Sequence, residues 1–163
     1  MRGMALLWLL AGTLGGALPA SAQQTEVDRL LVRVYGAVIT QSDVRQARAL
    51  KLVSDTGSDE ATQRGLENRL LLLRELASAA PGQAPSEDAF AARRRMWEQA
   101  MGGDAGAQLS RYGMNEASIN AWLRDDARID AFLRQQFGDP GAPERERALS
   151  NWVDRLRQRA GLR

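Results

Sequence analysis

A β-rich stretch that runs straight into a helix, residues 27–44, constrains the fold of this chain more than any other segment. The segments LLVRV and AVIT flank Tyr35-Gly36, at the position of a two-residue hairpin turn. Gly36 can take the positive φ that such turns require, and β-branched residues occur on both sides. Because an isolated two-stranded hairpin is marginally stable in water, this stretch predicts a short β-hairpin docked on helices.

Helical patterns dominate the rest of the chain. Ser42 is the predicted N-cap of a first helix that ends near Ser54. Pro143 suits the first turn of the last helix, which stops near Gly161. Between them, capping residues and glycines delimit four further helices, over about residues 59–79, 87–101, 104–113 and 116–137. The sequence thus predicts a mainly α fold of about six helices with a short N-terminal β-hairpin.

The second predicted helix is the expected centre of the fold. Its middle, Leu70 to Leu73, is apolar on every side of the helix. A helix that is hydrophobic all round is usually buried among other elements. We therefore expect the helices on either side to pack around it.

The N-terminus has the three parts of a secretory signal peptide. Arg2 supplies the positive charge, residues 5–14 form a short apolar run, and Ala20-Ser21-Ala22 is a small-x-small cleavage site. Cleavage after Ala22 predicts a soluble mature chain in the periplasm, with no stable membrane insertion. An uncleaved N-terminal anchor is the alternative. The chain has no cysteine, so neither a lipid anchor at this site nor a disulfide can form.

The mature chain is long enough for one domain. We expect a helical module over residues 23–137, a Pro/Gly linker over 138–143 and a C-terminal helix over 144–163 that packs on the module. Without Arg2, 21 basic residues balance 20 acidic ones. A net charge this small favours neither a nucleic-acid partner nor a membrane surface.

Residues for the common types of catalysis are missing. The sequence contains no histidine, no cysteine and no glycine-rich phosphate loop, so it predicts no catalytic residue, no metal and no cofactor. Asp125, Asp126 and Asp130 could form a carboxylate cluster. Because arginines interleave with them, a solvated, salt-bridged helix face is the favoured interpretation. For Arg93 to Arg95, an exposed helix flank is favoured over an anion-binding patch.

Four segments, in order, resemble the N-terminal module of SurA-type periplasmic chaperones. They are VDRLLVRVYGAVITQSDVRQARAL, GLENRLLLLRELA, PSEDAFAARRRMWEQ and LSRYGMNEASINAWLRDDARIDAFLRQQF. The resemblance implies a chaperone module with a closing C-terminal helix. Relatives also carry parvulin prolyl isomerase domains, but GDPGAPERER is too short to contain one and the histidines of those sites are absent. Tyr35 stands where the family often has asparagine.

The resemblance implies ATP-independent binding of unfolded polypeptides, outer-membrane proteins among them. Methionine and aromatic side chains suit such adaptable apolar contacts, and the candidate client-binding residues are Met96, Trp97, Met101, Tyr112, Met114 and Trp122. Helical spacing favours a core role for Phe90, Trp97 and Trp122. The alternative functions are a helical adaptor or structural subunit with one fixed partner and, by family label, a prolyl isomerase. The oligomeric state stays open.

Overall fold

The computed structural model describes residues 28–54 and 56–162, and the predicted signal peptide lies outside this part of the chain. The elements are two strands, β1 and β2, and six helices, α1 to α6. In chain order they are β1 Leu30–Val34, β2 Ala37–Thr40, α1 Gln41–Ala49, α2 Asp59–Ala79, α3 Glu87–Met101, α4 Ala105–Arg111, α5 Glu116–Phe137 and α6 Pro143–Arg159. The predicted mainly α fold with a short N-terminal hairpin is confirmed.

The hairpin turn has the geometry that its residues predict. Tyr35 and Gly36 both have positive φ, 48° and 93°, as a type I′ turn requires. The strands pair antiparallel from Val34 opposite Ala37, and the register shifts once, between Leu30 and Val32. Val34 is buried, so one face of the hairpin joins the core.

The start of α1 differs from the prediction. Thr40, not Ser42, is the N-cap: its hydroxyl accepts from the Asp43 backbone N–H, and the Asp43 carboxylate accepts from the Thr40 N–H at 2.8 Å. This reciprocal pair is a capping box, which satisfies two backbone donors at once. The helix therefore begins directly at the end of β2.

The predicted end of α1 near Ser54 is wrong, since the helix ends at Ala49. The Leu52 N–H bonds to the Ala47 carbonyl and the Lys51 N–H to the Arg48 carbonyl, which is the Schellman pattern. Lys51 takes the left-handed conformation, with φ of 49°, where such motifs usually have glycine. Its neighbours Leu50 and Leu52 are buried, so packing holds this conformation in place.

α2 is the central element, as predicted. It packs against both strands of the hairpin, α1, α5 and α6. Leu71 and Leu76 are almost fully buried, while Leu70, Leu72 and Leu73 are half-buried around them. Burial of an apolar side chain contributes about 1.5–3 kcal/mol, so this helix supplies much of the driving force for folding.

α6 packs on α2 and α5 through apolar and ionic contacts. Leu156 is buried, and the Trp152 ring lies 6.1 Å from Phe132 between ring centroids. Arg157 pairs with Glu67 of α2 at 2.8 Å, and both side chains are buried. A buried ion pair of this kind fixes how two elements pack together, because breaking it leaves an uncompensated charge buried. In the described part of the chain, no helix is long and apolar enough to cross a membrane.

Candidate functional site

A groove of about 280 Å³ lies between the turn after α1 and the facing surfaces of α3 and α5. We call it the α3–α5 groove. Apolar and aromatic side chains form much of its lining together with three polar residues of the turn, and an arginine and an aspartate lie at one end. Its lining residues are Lys51, Leu52, Val53, Ser54, Thr56, Arg93, Met96, Trp97, Ala100, Trp122, Leu123 and Asp126.

Two tryptophans hold the turn that forms one wall of the groove. The Trp97 indole Nε1 donates to the Leu50 carbonyl at 2.8 Å, and the Trp122 Nε1 donates to the Leu52 carbonyl at 3.2 Å. Both bonds satisfy carbonyls of buried residues, and an unpaired buried carbonyl would cost about 1–3 kcal/mol. The turn is therefore fixed to α3 and α5 rather than free to cover the groove.

Lys51 makes a third contact between the turn and α3. Its Nζ donates to the Ala100 carbonyl, next to the C-terminal end of α3. The last carbonyls of a helix carry partial negative charge, so an ammonium is stabilised there. Lys51 is the only lysine of the chain.

Met96 provides the most accessible apolar surface of the groove. Its side chain is 60% exposed, whereas the adjacent Trp97 is 6% exposed. Methionine is flexible and polarisable, so it adapts to partners of different shape. An exposed methionine beside an aromatic wall is a feature of surfaces that bind apolar segments.

A buried ionic network lies at the polar end of the groove. Asp126 accepts from Arg69 Nε at 3.1 Å and from Arg93 at 3.0 Å, and its side chain is 10% exposed. The predicted solvated, salt-bridged face of α5 is therefore wrong for Asp126, which is buried and paired with α2 and α3. It holds in part for Asp125, which is 37% exposed and pairs with Arg128 of α5, although it also pairs with Arg69 of α2 at 3.5 Å. Charges are buried where both hydrogen bonding and pairing compensate them.

Arg69 joins this network to the aromatic wall. Its guanidinium lies 3.6 Å from the centroid of the Trp122 ring and donates to the Trp122 carbonyl at 3.2 Å. A stacked guanidinium adds about 0.5–2 kcal/mol of cation–π attraction. Trp122 is therefore held on its edge by the Leu52 carbonyl and on its face by Arg69.

Arg93 differs from the exposed helix flank predicted for it. It is half-buried, it lines the groove, and its Nε is buried without a hydrogen-bond partner among the described residues. Arg94 is also engaged, with Glu98, Glu116 and Asn120, while Arg95 is exposed. The prediction therefore holds only for Arg95, because tertiary contacts with α5 recruit the other two.

A second hollow, of about 350 Å³, continues from the polar end of the groove towards α6. The two share Leu52, Val53, Ser54, Arg93 and Asp126. The rest of its lining comes from α2, α5 and α6 and consists of Gly65, five apolar residues and three polar ones: Leu72, Ile129, Leu133, Leu149, Val153, Asn68, Arg69 and Asp130. The shared residues mean that the two hollows adjoin each other at Arg93 and Asp126.

Gly65 brings the turn close to α2 in this second hollow. A Cβ at this position would lie 3.0 Å from the Val53 Cβ, closer than side chains normally approach. Glycine in a helix interior costs about 0.5–1 kcal/mol relative to alanine. The close approach of Val53 is the structural reason for a glycine here.

Asp130 lines the second hollow beside the network. Asp130 is exposed at the surface, but partial desolvation by the surrounding helices raises its pKa. Arg93 opposes this effect and Asp126 adds to it. The raised pKa means that the folded state disfavours the charged form of Asp130.

The structure brings together three of the six predicted client-binding residues. Met96, Trp97 and Trp122 line the α3–α5 groove. The other three lie outside the groove lining, half-buried against the main core: Met101, Tyr112 and Met114. The expected core role is confirmed for Trp97, which is buried, while Phe90 and Trp122 are half-buried against the same core.

Sequence reasoning missed Arg69, Arg93 and Asp126 as parts of the site. Their partners come from different helices, up to 57 residues apart in the chain, so no local spacing indicates them. Gly65, in the middle of a helical pattern, was a usable signal of close packing. The described residues contain no group of three or more histidine, cysteine, aspartate or glutamate side chains placed to hold a metal ion.

Comparisons with known proteins add no relative: no protein-family model, no curated protein and no solved structure matches the chain. The SurA-type resemblance drawn from the four segments stays a prediction.

Proposed function

We propose that this protein is an ATP-independent, periplasmic chaperone that holds unfolded polypeptide segments, those of outer-membrane proteins included, in the α3–α5 groove and its continuation towards α6. The observation that carries the proposal is Met96, which is 60% exposed on a groove wall that also contains Trp97 and Trp122. Burying a methionine side chain in a complex is worth about 1.5–3 kcal/mol. The sequence resemblance to SurA-type chaperones and the signal peptide predicted from the sequence point to the same role.

The rigidity of the groove supports binding without an energy source. Trp97 and Trp122 fix the turn through its carbonyls, and Asp126 ties α2, α3 and α5 together. A groove that is already formed loses little conformational freedom on binding. Binding and release would then depend on the exposed apolar surface of the client alone. No catalytic step is part of this proposal.

An adaptor that binds one fixed partner is the second candidate. It is favoured by the small number of large apolar side chains that are exposed among the described residues, which are Leu30, Tyr35, Val38 and Met96. Three of these, Leu30, Tyr35 and Val38, lie on the hairpin, so they offer at most a small apolar patch rather than a broad surface. A single-partner protein needs only such a patch, whereas a general chaperone needs wider apolar contact.

The test uses the mature chain and a chemically denatured β-barrel membrane protein in buffer without nucleotide. Equimolar wild-type protein is expected to delay aggregation, measured by light scattering. Met96→Ser is expected to weaken binding of a labelled, aromatic-rich peptide from the same client by roughly ten-fold, the equivalent of about 1.4 kcal/mol. Gln99→Ser is the matched control, since Gln99 is exposed on the same helix outside the groove.

The outcomes separate the two candidates. If wild-type protein leaves the aggregation of several unrelated clients unchanged, the chaperone proposal fails and the adaptor is favoured. If aggregation is delayed but Met96→Ser and Gln99→Ser bind the peptide equally, the groove is not the client site. Circular dichroism on both variants checks that neither substitution alters the fold.

A further inference from the structure

β1 is an open sheet edge. The sheet contains only β1 and β2 in the described part of the chain, so the side of β1 away from β2 has no strand beside it. Backbone groups on such an edge are available to pair with an extended chain. α2 contacts both strands of the hairpin, and Arg33 in β1 stays exposed.

The register identifies which backbone groups face the open edge. Val34 lies opposite Ala37 next to the two-residue turn, and such a closing pair exchanges hydrogen bonds. The next pair, Arg33 opposite Val38, is then of the non-hydrogen-bonded kind. The N–H and C=O of Arg33 therefore point away from β2, to the outer edge.

The side chains around β1 are apolar and cationic. Leu30 is 53% exposed and Tyr35 is 45% exposed. Arg29 and Arg33 are exposed, and Arg74 of α2 places its guanidinium 4.1 Å from the centroid of the Tyr35 ring. No acidic residue occurs from position 29 to 42, and Asp28, just before β1, accepts a hydrogen bond from the Ser42 N–H at 3.0 Å. The strand thus combines free backbone groups, apolar surface and positive charge.

We propose that the β1 edge binds an extended, acidic polypeptide segment of a partner, which adds a third strand to the hairpin. Main-chain hydrogen bonds to Arg33 supply affinity, and the arginines select acidic side chains. This site is separate from the α3–α5 groove and does not rest on the chaperone proposal.

Charge disfavours the other obvious occupant, a second copy of this chain. Antiparallel self-pairing of two β1 strands places four arginines, Arg29 and Arg33 from each copy, along one short ribbon. Like charges across paired strands are destabilising, whereas opposite charges stabilise the pair. A partner strand that carries carboxylates has a charge opposite to that of the arginines along this edge.

The experiment measures binding of a short, end-capped peptide that alternates valine with glutamate, with a valine–lysine peptide as its charge-reversed counterpart. Wild-type protein is expected to bind the glutamate peptide, and binding should slow hydrogen exchange of the Arg33 amide. Arg33→Glu is expected to weaken this binding by roughly ten-fold, because two attractive charge contacts become repulsive. Arg95→Glu, a charge reversal on the exposed side of α3, should leave binding unchanged.

Three results would overturn the proposal. The first is equal affinity for the glutamate and lysine peptides. The second is binding of the glutamate peptide that neither protects the Arg33 amide nor responds to Arg33→Glu. The third is a dimer of the free protein, seen by sedimentation, that Arg33→Glu dissociates, since the edge would then belong to a second copy.

Discussion

Trp97 donates a hydrogen bond from its indole Nε1 to the carbonyl oxygen of Leu50 at 2.8 Å, across 47 residues of sequence. This bond connects α3 to Leu50, the residue directly after the last residue of α1. It also sets one wall of the α3–α5 groove, because the turn that follows Leu50 lines that groove. The Trp97–Leu50 hydrogen bond thus contributes both to the end of α1 and to the shape of the groove.

Trp97→Phe should destabilise the protein. Phenylalanine keeps the aromatic ring in place but leaves the buried Leu50 carbonyl without its donor, at a cost of about 1–3 kcal/mol. Urea unfolding followed by circular dichroism measures the change. Trp152→Phe is the matched control, since the Trp152 indole makes no hydrogen bond with a described residue, and it should cost less. Equal losses for the two variants would contradict the assignment.

At position 51, glycine should give a more stable protein than alanine, which is the reverse of their usual order in helices. Both Lys51→Ala and Lys51→Gly lose the contact with the Ala100 carbonyl, but only alanine keeps the strain of a positive φ. Glycine should therefore be more stable than alanine by about 1 kcal/mol at this position. Thermal unfolding of the two variants decides it. A more stable alanine variant would show that the turn does not keep its left-handed conformation.

Asp126→Asn should be among the most damaging single changes. It removes the charge that compensates Arg69 and Arg93 in a nearly buried network, for which a loss of about 3–5 kcal/mol is typical. Asp125→Asn, on the adjacent and 37% exposed side chain, loses a 3.4 Å pair with Arg128 and a 3.5 Å pair with Arg69, and should cost about 1 kcal/mol. Denaturant unfolding of both proteins measures the difference. Similar losses would mean that the Asp126 network is not buried in solution.

The negative charge of Asp130 should lower the free energy of unfolding at neutral pH. Its folded pKa lies above the unfolded pKa, so the folded state binds more protons between the two values. Stability therefore rises as the pH falls through the folded pKa, and the penalty is present at pH values above that pKa. Asp130→Asn should accordingly be more stable than wild type at pH 7.

The advantage of Asp130→Asn should disappear at a pH below the unfolded pKa of aspartate, about 3.9, where both proteins are neutral at this position. Denaturant unfolding of wild type and Asp130→Asn at several pH values measures this difference in stability. An Asn variant that is less stable than wild type at pH 7 would show that attraction to Arg93 and Arg134 outweighs desolvation. Asp139→Asn, at an exposed position in the connection before α6, serves as the control.

The hairpin and most helix boundaries were predictable because their determinants are local. The Tyr35-Gly36 turn was predicted from its position between two β-rich segments and the ability of Gly36 to take a positive φ. Ser58, Ser86 and Asn115 each cap the next helix through a hydrogen bond to a backbone N–H three residues later. Such contacts depend on residues a few positions apart, and they form wherever the chain has that spacing.

The end of α1 and the environment of Asp126 were wrongly predicted for a shared reason. Nothing in the spacing around Lys51 stops a helix, since the usual glycine is absent there. The tryptophans that take the neighbouring carbonyls lie 47 and 70 residues further along the chain. Likewise, the arginines nearest to Asp126 in sequence predicted a surface face, whereas the bonds come from Arg69 and Arg93.

The sequence by itself determined the fold class, the hairpin turn and nearly all the helix starts, because capping and turn residues act within a few positions. Only the tertiary structure decided which side chains form a site. It placed Met96, Trp97 and Trp122 on one groove and left Met101, Tyr112 and Met114 outside its lining. Burial and ion pairing depend on which helix faces meet, and that is a property of the packed chain rather than of any one segment.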